Sequence, residues 1–481
     1  MWRLLWVIDS HRIIMVTNLV ENGKRKCEQY WPDKKDEEKV YGGIGVTLRS
    51  IEQTADFVIR TFDSTKVSSI LTRNIKQFHF TAWPDHGVPQ RASPIISFRR
   101  KVRSYDQSHP GTMLVHCSAG VGRTGTFIAL DFLQDMAEEE QAIDLFNCTM
   151  NMRRDRVNMI QTVEQYLFVY DALLEALKAG KTAIPCSSFR REYDLLYQIE
   201  GPQDKSRLQV QFETLATMTA EPREDECCSG KMPDNMEKNR FPEVVASDRH
   251  RPYLMTRVHG TNDYINAVFL DGYKSKNEYI VTQMPLPHTV IDLWRMIFEH
   301  NVGSVIMINP WDPNNESYGQ YWPESGEDCE CGPFVIESVA TDKPHPDVLV
   351  RELRLIYQPQ DSKPHTVNQF VLKSWPKDAL CPDNKAAIIA LINVVEKSQY
   401  KTGNGPLIMH CHNGIEASGL MAAISCVWDK MKVDQEVDIF HTVKQLRYHA
   451  PLAVQHLEQY DFLYQMVLAY LDEYETYANF R

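Results

Sequence analysis

A cysteine and an arginine six positions apart, Cys117 and Arg123, enclose a glycine-rich segment suited to binding an anion. An apolar run at residues 113–115 precedes it and a helix-like run at residues 126–136 follows, so the pattern predicts a strand, a tight loop and a helix. Such a loop points backbone N–H groups and a helix N-terminus at one anion. The arginine adds a two-pronged fork for phosphate, and the positive field lowers the pKa of the thiol. The predicted chemistry is attack by a thiolate on a bound phosphoryl group.

An upstream acid and two downstream glutamines extend this chemistry. The acid loop, residues 83–89, is punctuated by proline and glycine and carries Asp85, 32 residues before Cys117. Cleavage of a phosphate ester needs a proton for the departing oxygen, and Asp85 can supply it as general acid. Gln161 and Gln165 are suited to orienting the water that hydrolyses a phosphocysteine. A buried structural cysteine is the alternative interpretation of Cys117, and the acid loop argues against it.

The order and spacing of these segments resemble the catalytic domain of the classical protein tyrosine phosphatases. That resemblance implies that Cys117 is the nucleophile and Arg123 the phosphate clamp. It implies that Asp85 acts as general acid and then as base, and that Thr124 assists the leaving thiolate. Neither a cofactor nor a metal is expected.

Further roles follow from the same resemblance. Gln161 and Gln165 handle water, and Trp83 is the hinge of the closing acid loop. The residues implied to bind the phosphotyrosine group are Ser118, Ala119, Gly120, Val121, Gly122, Arg123, Trp83 and Gln161. The residues implied to support the site are His116, Glu21 and Lys26. For Glu21 and Lys26 a solvated surface turn remains the alternative.

A long repeat organises the chain. The Gln-Tyr-Trp-Pro motif at residues 29–32 recurs 291 positions later, and His116-Cys117 recurs 294 positions later as His410-Cys411. We expect two tyrosine-phosphatase domains, at residues 1–180 and 190–477. A tandem pair is typical of the cytoplasmic region of receptor-type tyrosine phosphatases. The sequence of residues 16–21 resembles the mu/kappa-like subgroup of that class.

The first copy is predicted to be incomplete. Residues 186–292 belong to the second copy and include segments 237–241 and 262–267, which resemble the family's phosphotyrosine-recognition loop and an adjoining strand. The first copy has no counterparts of these segments, so we expect an exposed sheet edge and exposed apolar surface.

The fold class is predicted as α/β (α+β), with each domain a highly twisted mixed sheet flanked by helices. The first domain lacks its N-terminal part. Apolar patterns predict strands at residues 13–19 and 304–309, and helices at residues 163–177 and 457–471.

The second copy is predicted to be a degenerate pseudophosphatase. Ala417 stands where Arg123 stands in the first copy, Glu416 replaces Gly122, and Lys377 occupies the position of the acid. Loss of the guanidinium and gain of a carboxylate oppose phosphate binding, and they should raise the pKa of Cys411.

The amino-acid composition limits which binding partners and which cellular compartment are expected for the chain. Over 481 residues the formal net charge is −12, which argues against non-specific binding to nucleic acid. No apolar run approaches the roughly 20 residues that span a bilayer, and the start lacks the features of a signal peptide. Eleven cysteines without framework spacing suggest a reducing compartment. We expect a cytoplasmic chain whose full-length relatives span a membrane.

Two functions from different classes remain. The first is a protein tyrosine phosphatase that hydrolyses phosphotyrosine in proteins, with a second domain that is inactive, regulatory, and in contact with the first domain or with other signalling proteins. The second is a pseudophosphatase or interaction scaffold in which neither domain is active. A rhodanese-like or arsenate-reducing loop is disfavoured, because it needs neither the acid loop nor the paired glutamines.

Overall fold

The chain folds as two compact units, Met1–Gly180 and Lys181–Arg481, here called the first and second unit. Each contains one large mixed sheet. No helix among the described residues is long and apolar enough to cross a bilayer. The computed structural model describes residues 1–67, 71–106, 111–200, 204–219, 224–359, 363–403 and 405–479.

The first unit contains eight strands and five helices among its described residues. The strands are β1 (Arg12–Met15), β2 (Val20–Glu21), β3 (Lys24–Arg25), β4 (Glu38–Tyr41), β5 (Ile44–Gln53), β6 (Phe57–Lys66), β7 (Thr72–Phe80) and β8 (Met113–His116). The helices are α1 (Trp2–Val7), α2 (Ser93–Asp106), α3 (Gly122–Glu140), α4 (Leu145–Asp155) and α5 (Val163–Ala179).

The second unit is larger. Its strands are β9 (Ile184–Pro185), β10 (Ile199–Glu200), β11 (Lys205–Ser206), β12 (Ala267–Leu270), β13 (Tyr279–Gln283), β14 (Ser304–Met307), β15 (Asp328–Cys331), β16 (Phe334–His345), β17 (Val348–Tyr357), β18 (His365–Leu372), β19 (Leu407–Cys411) and β20 (Glu436–Val437). Its helices are α6 (Phe189–Leu196), α7 (Arg207–Thr217), α8 (Pro233–Met236), α9 (Val290–Glu299), α10 (Lys385–Thr402), α11 (Glu416–Asp434), α12 (Ile439–His449) and α13 (Leu457–Asn479).

The two large sheets share a six-strand path. In the first unit the order is β4-β5-β6-β7-β1-β8, with β1 parallel to both of its neighbours and the remaining pairs antiparallel. The second unit repeats it as β15-β16-β17-β18-β14-β19. A register shift between Leu48 and Ser50 has a counterpart between Ser338 and Ala340. The predicted pair of mixed sheets is confirmed.

The sheets differ at one edge. In the second unit β13 pairs with β19, and β12 pairs with β13. In the first unit β8 ends the sheet, and among its described residues no strand pairs with its outer side. All five residues of β19 are buried, whereas all four residues of β8 are only half-buried. The strand that leads to Cys117 is therefore less buried than its counterpart in the second unit.

Element ends depart from the sequence pattern in two ways. Strand β1 stops at Met15, before the predicted end at residue 19, and beyond it the Thr17 hydroxyl donates to the Glu21 carboxylate at 3.2 Å. Helix α3 is longer than its apolar run, since it begins at Gly122, inside the loop that holds Cys117. The residues just beyond the end of β1 and the first turn of α3 thus both lie at the loop that holds Cys117.

Alternation along β1 divides the apolar core of the first unit. Ile13 packs with Trp2 and Phe62 on one side of the sheet, while Ile14 packs with Phe80 and other residues on the opposite side. This second cluster also contains Cys117, Trp83 and Phe127. The loop at Cys117 therefore rests on a packed base.

Candidate active site

The loop after β8 and the first turn of α3 each require glycine at one position. Gly120 has φ +72°, a left-handed conformation that favours glycine. At Gly125 an added Cβ would lie 2.5 Å from the backbone nitrogen of Ile160. The Gly120 N–H points at the Cys117 sulfur, at 3.2 Å. The chain is thus wrapped around one sulfur atom.

The hydrogen bonds of this loop lower the pKa of Cys117. Burial by itself would raise the pKa of a thiol. Hydrogen bonds from the hydroxyl and backbone of Thr124, and from the backbone of Gly120 and Val121, oppose burial and leave the pKa below its usual value. The thiolate needed for nucleophilic attack is therefore favoured.

Arg123 is held by a carboxylate far from it in sequence. Its Nη1 and Nη2 donate to the two carboxylate oxygens of Glu21 at 2.6 and 3.0 Å. Nη2 also donates to the backbone carbonyls of Pro84 and Asp85, at 3.1 and 3.3 Å. The guanidinium thereby connects the β2–β3 hairpin to the acid loop.

The acid is held from the same hairpin. Lys26 Nζ lies 3.5 Å from an Asp85 carboxylate oxygen and 3.9 Å from a Glu21 oxygen. Although burial opposes ionisation of Glu21, hydrogen bonds from Arg123 and Asn18 hold its pKa below the usual value. Asp85, Lys26, Glu21 and Arg123 form a continuous chain of alternating charge.

Trp83 anchors the start of the acid loop. It is buried, and its indole N–H donates to the Gly87 carbonyl at 3.2 Å, which closes the loop on itself. Its ring packs edge-on against Phe168. The Arg123 guanidinium lies 5.7 Å from the centre of the same ring. The acid loop and the loop that holds Cys117 therefore share this one aromatic side chain.

The two glutamines take different positions. Gln165 is buried, and its amide oxygen accepts from the Gln161 backbone N–H at 2.8 Å. An added Cβ on Gly122 would lie 2.9 Å from the Gln165 amide, so Gly122 makes room for that side chain. Gln161 is exposed. The structure thus places one glutamine beneath the loop and the other on the surface.

Three other residues at or next to the loop form hydrogen bonds with residues outside it. Ser118 Oγ donates to the Lys26 carbonyl at 2.8 Å. His116 Nε2 lies 2.8 Å from the Tyr30 hydroxyl, and burial lowers the pKa of His116. Arg156 Nη2 donates to the Ala119 carbonyl at 3.1 Å.

Tyr30 and Arg156 are site residues that the sequence analysis missed. Comparison of the two copies could have indicated both. Tyr30 is retained as Tyr321 in the second copy, which indicates a structural role, and Arg156 is replaced by Ala450 in the copy whose loop is degenerate. Tyr321 makes the same contact with His410, at 2.8 Å.

In the second unit a carboxamide occupies the equivalent loop. The Asn413 side-chain oxygen accepts from the backbone N–H groups of Ile415 and Glu416, both at 3.1 Å. It also accepts from the Cys411 thiol at 3.4 Å. Asn413 aligns with Ala119, whose methyl group makes no hydrogen bonds. Donors suited to an anion are therefore already used, a feature that the sequence analysis overlooked.

The pKa of Cys411 lies above its usual value, the direction that the sequence predicts, but the leading cause differs. Burial is that cause, and hydrogen bonds from Ser418, Gly414 and Ala417 do not overcome it. Ala417 is buried at the position of Arg123, while the Glu416 and Lys377 side chains are exposed.

Aromatic side chains cluster beside this second loop. The His412 ring packs against the rings of Phe241 and Tyr318, with centroids 5.4 and 5.7 Å away. The Tyr318 hydroxyl also lies 3.0 Å from His412 Nδ1. Burial, Arg240 and Lys377 lower the pKa of His412, which favours its neutral form. The rings of Phe241 and Tyr318 thus pack on His412, the residue that follows Cys411.

Comparison with known proteins agrees with this geometry. The model of the family described as "Protein-tyrosine phosphatase" matches residues 1–175 and 235–469. Receptor-type tyrosine-protein phosphatase U from Gallus gallus is 38% identical over 480 residues, which cover 99% of this chain and 33% of that protein. Receptor-type tyrosine-protein phosphatase alpha from Homo sapiens is 35% identical over 486 residues, covering 100% of this chain and 60% of the relative. Receptor-type tyrosine-protein phosphatase S from Gallus gallus is 37% identical, covering 99% of this chain and 31% of the relative. The chain thus spans less than two thirds of each of these relatives.

Proposed function

The chain belongs to the protein-tyrosine phosphatase family, and from that premise we propose that its first unit hydrolyses phosphotyrosine in proteins through a phosphocysteine on Cys117. The observation that carries this proposal is the loop geometry at Cys117. Hydrogen bonds there lower the pKa of the thiol despite its burial. Arg123 and Asp85 are held next to each other by Glu21 and Lys26.

The proposed reaction has two displacements. The Cys117 sulfur forms a bond to phosphorus while the bond from phosphorus to the tyrosine oxygen breaks, and Asp85 protonates that oxygen. Water then forms a new P–O bond as the P–S bond breaks, with Asp85 taking the proton of the water. Arg123 stabilises charge on the phosphoryl oxygens, Gln161 and Gln165 position the water, and inorganic phosphate leaves.

We propose that the second unit is non-catalytic and regulatory. Three of its features support this: Ala417 offers no guanidinium, Lys377 is not a carboxylic acid, and Asn413 already uses backbone donors of the loop. A thiol whose pKa is raised by burial is a poor nucleophile at neutral pH.

Turnover of an aryl phosphate by the full chain tests the proposal. Cys117→Ser should abolish turnover, because a serine hydroxyl is not ionised at neutral pH, and Arg123→Ala should reduce it by about 10²-fold or more. Cys148→Ser, at a half-buried cysteine on α4, is the control and should keep activity. Turnover that survives Cys117→Ser would refute the mechanism.

Asp85→Ala separates the role of the acid from that of the nucleophile. The loss of activity should be large for phenyl phosphate and small for a nitrophenyl phosphate, because a leaving group of low pKa needs little protonation. An equal loss for both substrates would remove Asp85 from the role of general acid.

A non-catalytic scaffold is the second candidate, and the half-buried edge strand β8 favours it. Strand β8 leads directly into the loop of Cys117, so a loosened edge would disturb the nucleophile. A native chain that is folded, yet neither turns over an aryl phosphate nor forms a phosphoenzyme, would select the scaffold.

A further inference from the structure

Three side chains of the second unit hold helix α7 against α12 and α13. The Tyr460 and Tyr464 hydroxyls both donate to the side-chain oxygen of Gln211, at 2.7 and 2.6 Å. The Arg447 guanidinium lies 5.4 Å from the centre of the Phe212 ring, and that ring packs on Tyr460 with centroids 5.4 Å apart. A glutamine and the phenylalanine that follows it are therefore the residues of α7 that these side chains contact.

The first unit retains the same three side chains in the same conformation. Arg153, Tyr166 and Tyr170 stand 294 positions before their counterparts. The rings of Tyr166 and Tyr170 pack edge to face at 5.6 Å and 76°, and the equivalent pair does so at 5.7 Å and 71°. Arg153 donates to the carbonyls of Met159 and Ile160 at 2.9 and 2.7 Å, and its counterpart donates to the carbonyls at the equivalent positions at 3.1 and 2.6 Å.

These three side chains of the first unit, here called the α4–α5 surface, are accessible. Tyr170 is 44% exposed, whereas Tyr464 is 1% exposed. Arg153 is exposed and Tyr166 is half-buried, whereas both of their counterparts are buried. The surface therefore has the arrangement that contacts a helix in the second unit, and its side chains remain open to a ligand.

The two copies also differ, and the difference selects the type of helix. In the second unit Asp461 accepts from the hydroxyls of Tyr193 and Tyr197, which lie in and just beyond α6, at 2.8 and 2.6 Å. Leu167 stands at the position of Asp461 in the first unit and accepts no hydrogen bond. The retained side chains are thus those that contact α7, not the one that contacts α6.

We propose that the α4–α5 surface binds an amphipathic helix of another polypeptide with the residue types and spacing of Leu208, Gln211, Phe212 and Leu215. In α7 both of these leucines are buried, and the four positions lie on one face because they are spaced as i, i+3, i+4 and i+7. The glutamine oxygen of the bound helix accepts from the two tyrosine hydroxyls, and the phenylalanine ring packs on the arginine. Recognition of an amphipathic helix through anchors at this spacing is a common mode of peptide binding.

A synthetic peptide of residues 205–219 tests the proposal, because it contains α7 and its capping box at Ser206. Fluorescence anisotropy of the labelled peptide with the full chain should give a Kd on the order of 100 μM or tighter. Peptides with Gln211→Ala or Phe212→Ala should bind about tenfold more weakly, because each loses one of the two retained contacts. Val210→Ala, at an exposed position of α7, is the matched control and should bind like the parent peptide. Equal binding of all four peptides, or none at about 1 mM, would overturn the proposal.

Variants of the chain locate the bound peptide. Tyr166→Phe with Tyr170→Phe removes both hydroxyls and keeps both rings, so the parent peptide should bind about tenfold more weakly. The Gln211→Ala peptide should bind the native chain and this double variant equally, since its contact with the hydroxyls is already lost. Tyr400→Phe, at an exposed tyrosine of α10, is the control and should bind the parent peptide like the native chain. Undiminished binding of the parent peptide by the double variant would place it elsewhere and refute the surface.

Sedimentation equilibrium without peptide separates a foreign helix from a second copy of the chain. The native chain and the double variant should give the same mass at every concentration. Self-association of the native chain that the double variant abolishes would assign the α4–α5 surface to a second copy and overturn the proposed ligand.

Discussion

Two cysteines at equivalent positions have pKa values that are shifted in opposite directions. At Cys117 the donors of the loop outweigh burial and the pKa falls, whereas at Cys411 burial prevails and the pKa rises. The contacts of His116 with Tyr30 and of His410 with Tyr321 are alike, each at 2.8 Å. The two sites therefore share a scaffold and differ in the direction in which they shift the pKa of the thiol.

The carboxylate of Glu21 is predicted to position Arg123 for binding phosphate. Glu21→Gln would remove the charge that holds the guanidinium from two oxygens, so kcat/KM for an aryl phosphate should fall about 10²-fold, with KM rising and kcat falling together. Glu28→Gln is the matched control on the same hairpin, because Glu28 is exposed and pairs with Arg25 instead. A kcat/KM for Glu21→Asp that is higher than that for Glu21→Gln would support positioning through charge. Kinetics of Glu21→Gln equal to those of Glu28→Gln would contradict it.

Asn413 is predicted to block any repair of the second site. Glu416→Gly with Ala417→Arg restores the missing residues, yet vanadate should bind poorly while the carboxamide still uses the N–H groups of residues 415 and 416. Adding Asn413→Ala should then improve affinity by about tenfold or more, a difference that calorimetry measures directly. Tight vanadate binding by the double variant alone, or by the unmodified chain, would show that Asn413 is no obstacle.

At the scale of elements, helix α5 of the first unit exposes apolar side chains on a face whose counterpart in α13 is packed. On α5 an apolar stripe is exposed, formed by Val163, Leu167, Tyr170, Leu174 and Leu177. In the second unit the equivalent helix α13 packs against α6 and α7: Tyr464 stacks on Tyr193 at 5.5 Å, and its hydroxyl donates to Gln211 at 2.6 Å. An exposed stripe of this kind is a surface prone to association.

The open edge of β8 should be visible in amide hydrogen exchange. Since the His116 carbonyl accepts from Val16, alternation makes the Val115 N–H face the outer edge, where no described strand pairs with it. Its counterpart Met409 lies between β13 and β14 in a fully buried strand. Val115 should exchange about tenfold faster than Met409, or more, in exchange followed by mass spectrometry or NMR. Equal protection of the two amides would show that another segment covers the edge.

At the scale of the whole molecule, buried histidines link stability to pH. Burial, together with the charge of Arg60, lowers the pKa of His79 from 6.5 to about 4. Its Nε2 lies 2.8 Å from the Thr17 carbonyl, which accepts a proton from that nitrogen, and its Nδ1 lies 3.3 Å from an Arg60 nitrogen, which is a donor. The neutral ring satisfies both contacts, whereas a second proton on Nδ1 would point at the guanidinium. Because the folded pKa is below the unfolded one, the stabilisation is complete above pH 6.5 and is lost as the pH falls towards 4.

His79→Gln should flatten this dependence. Between pH 7 and pH 4 the native chain should lose on the order of 3 kcal/mol more unfolding free energy than the variant, measured by urea denaturation at each pH. His259→Gln, at an exposed histidine, is the control and should follow the native chain. A steeper loss for His79→Gln than for the native chain would reverse the predicted sign.

The sequence by itself determined the nature of the chemistry and the repeat. Cys117, Arg123 and Asp85 follow from residue type and spacing, and the two mixed sheets follow from motifs that recur at nearly constant separation. The helices at residues 163–177 and 457–471 follow from the apolar period, and α5 also has a local cap, because Thr162 accepts from the Gln165 N–H. These signals are local, so the order of residues contains them.

Only the tertiary structure decided the contacts that depend on distant segments and on side-chain conformation. Glu21 meets Arg123 across 102 residues, and Thr17, which lies beyond the end of β1, donates to the same Glu21 carboxylate. The Asn413 carboxamide could equally have pointed to solvent, and only the fold brings it to the backbone N–H groups of Ile415 and Glu416. Packing of residues remote in sequence sets these arrangements, and no local pattern encodes that packing.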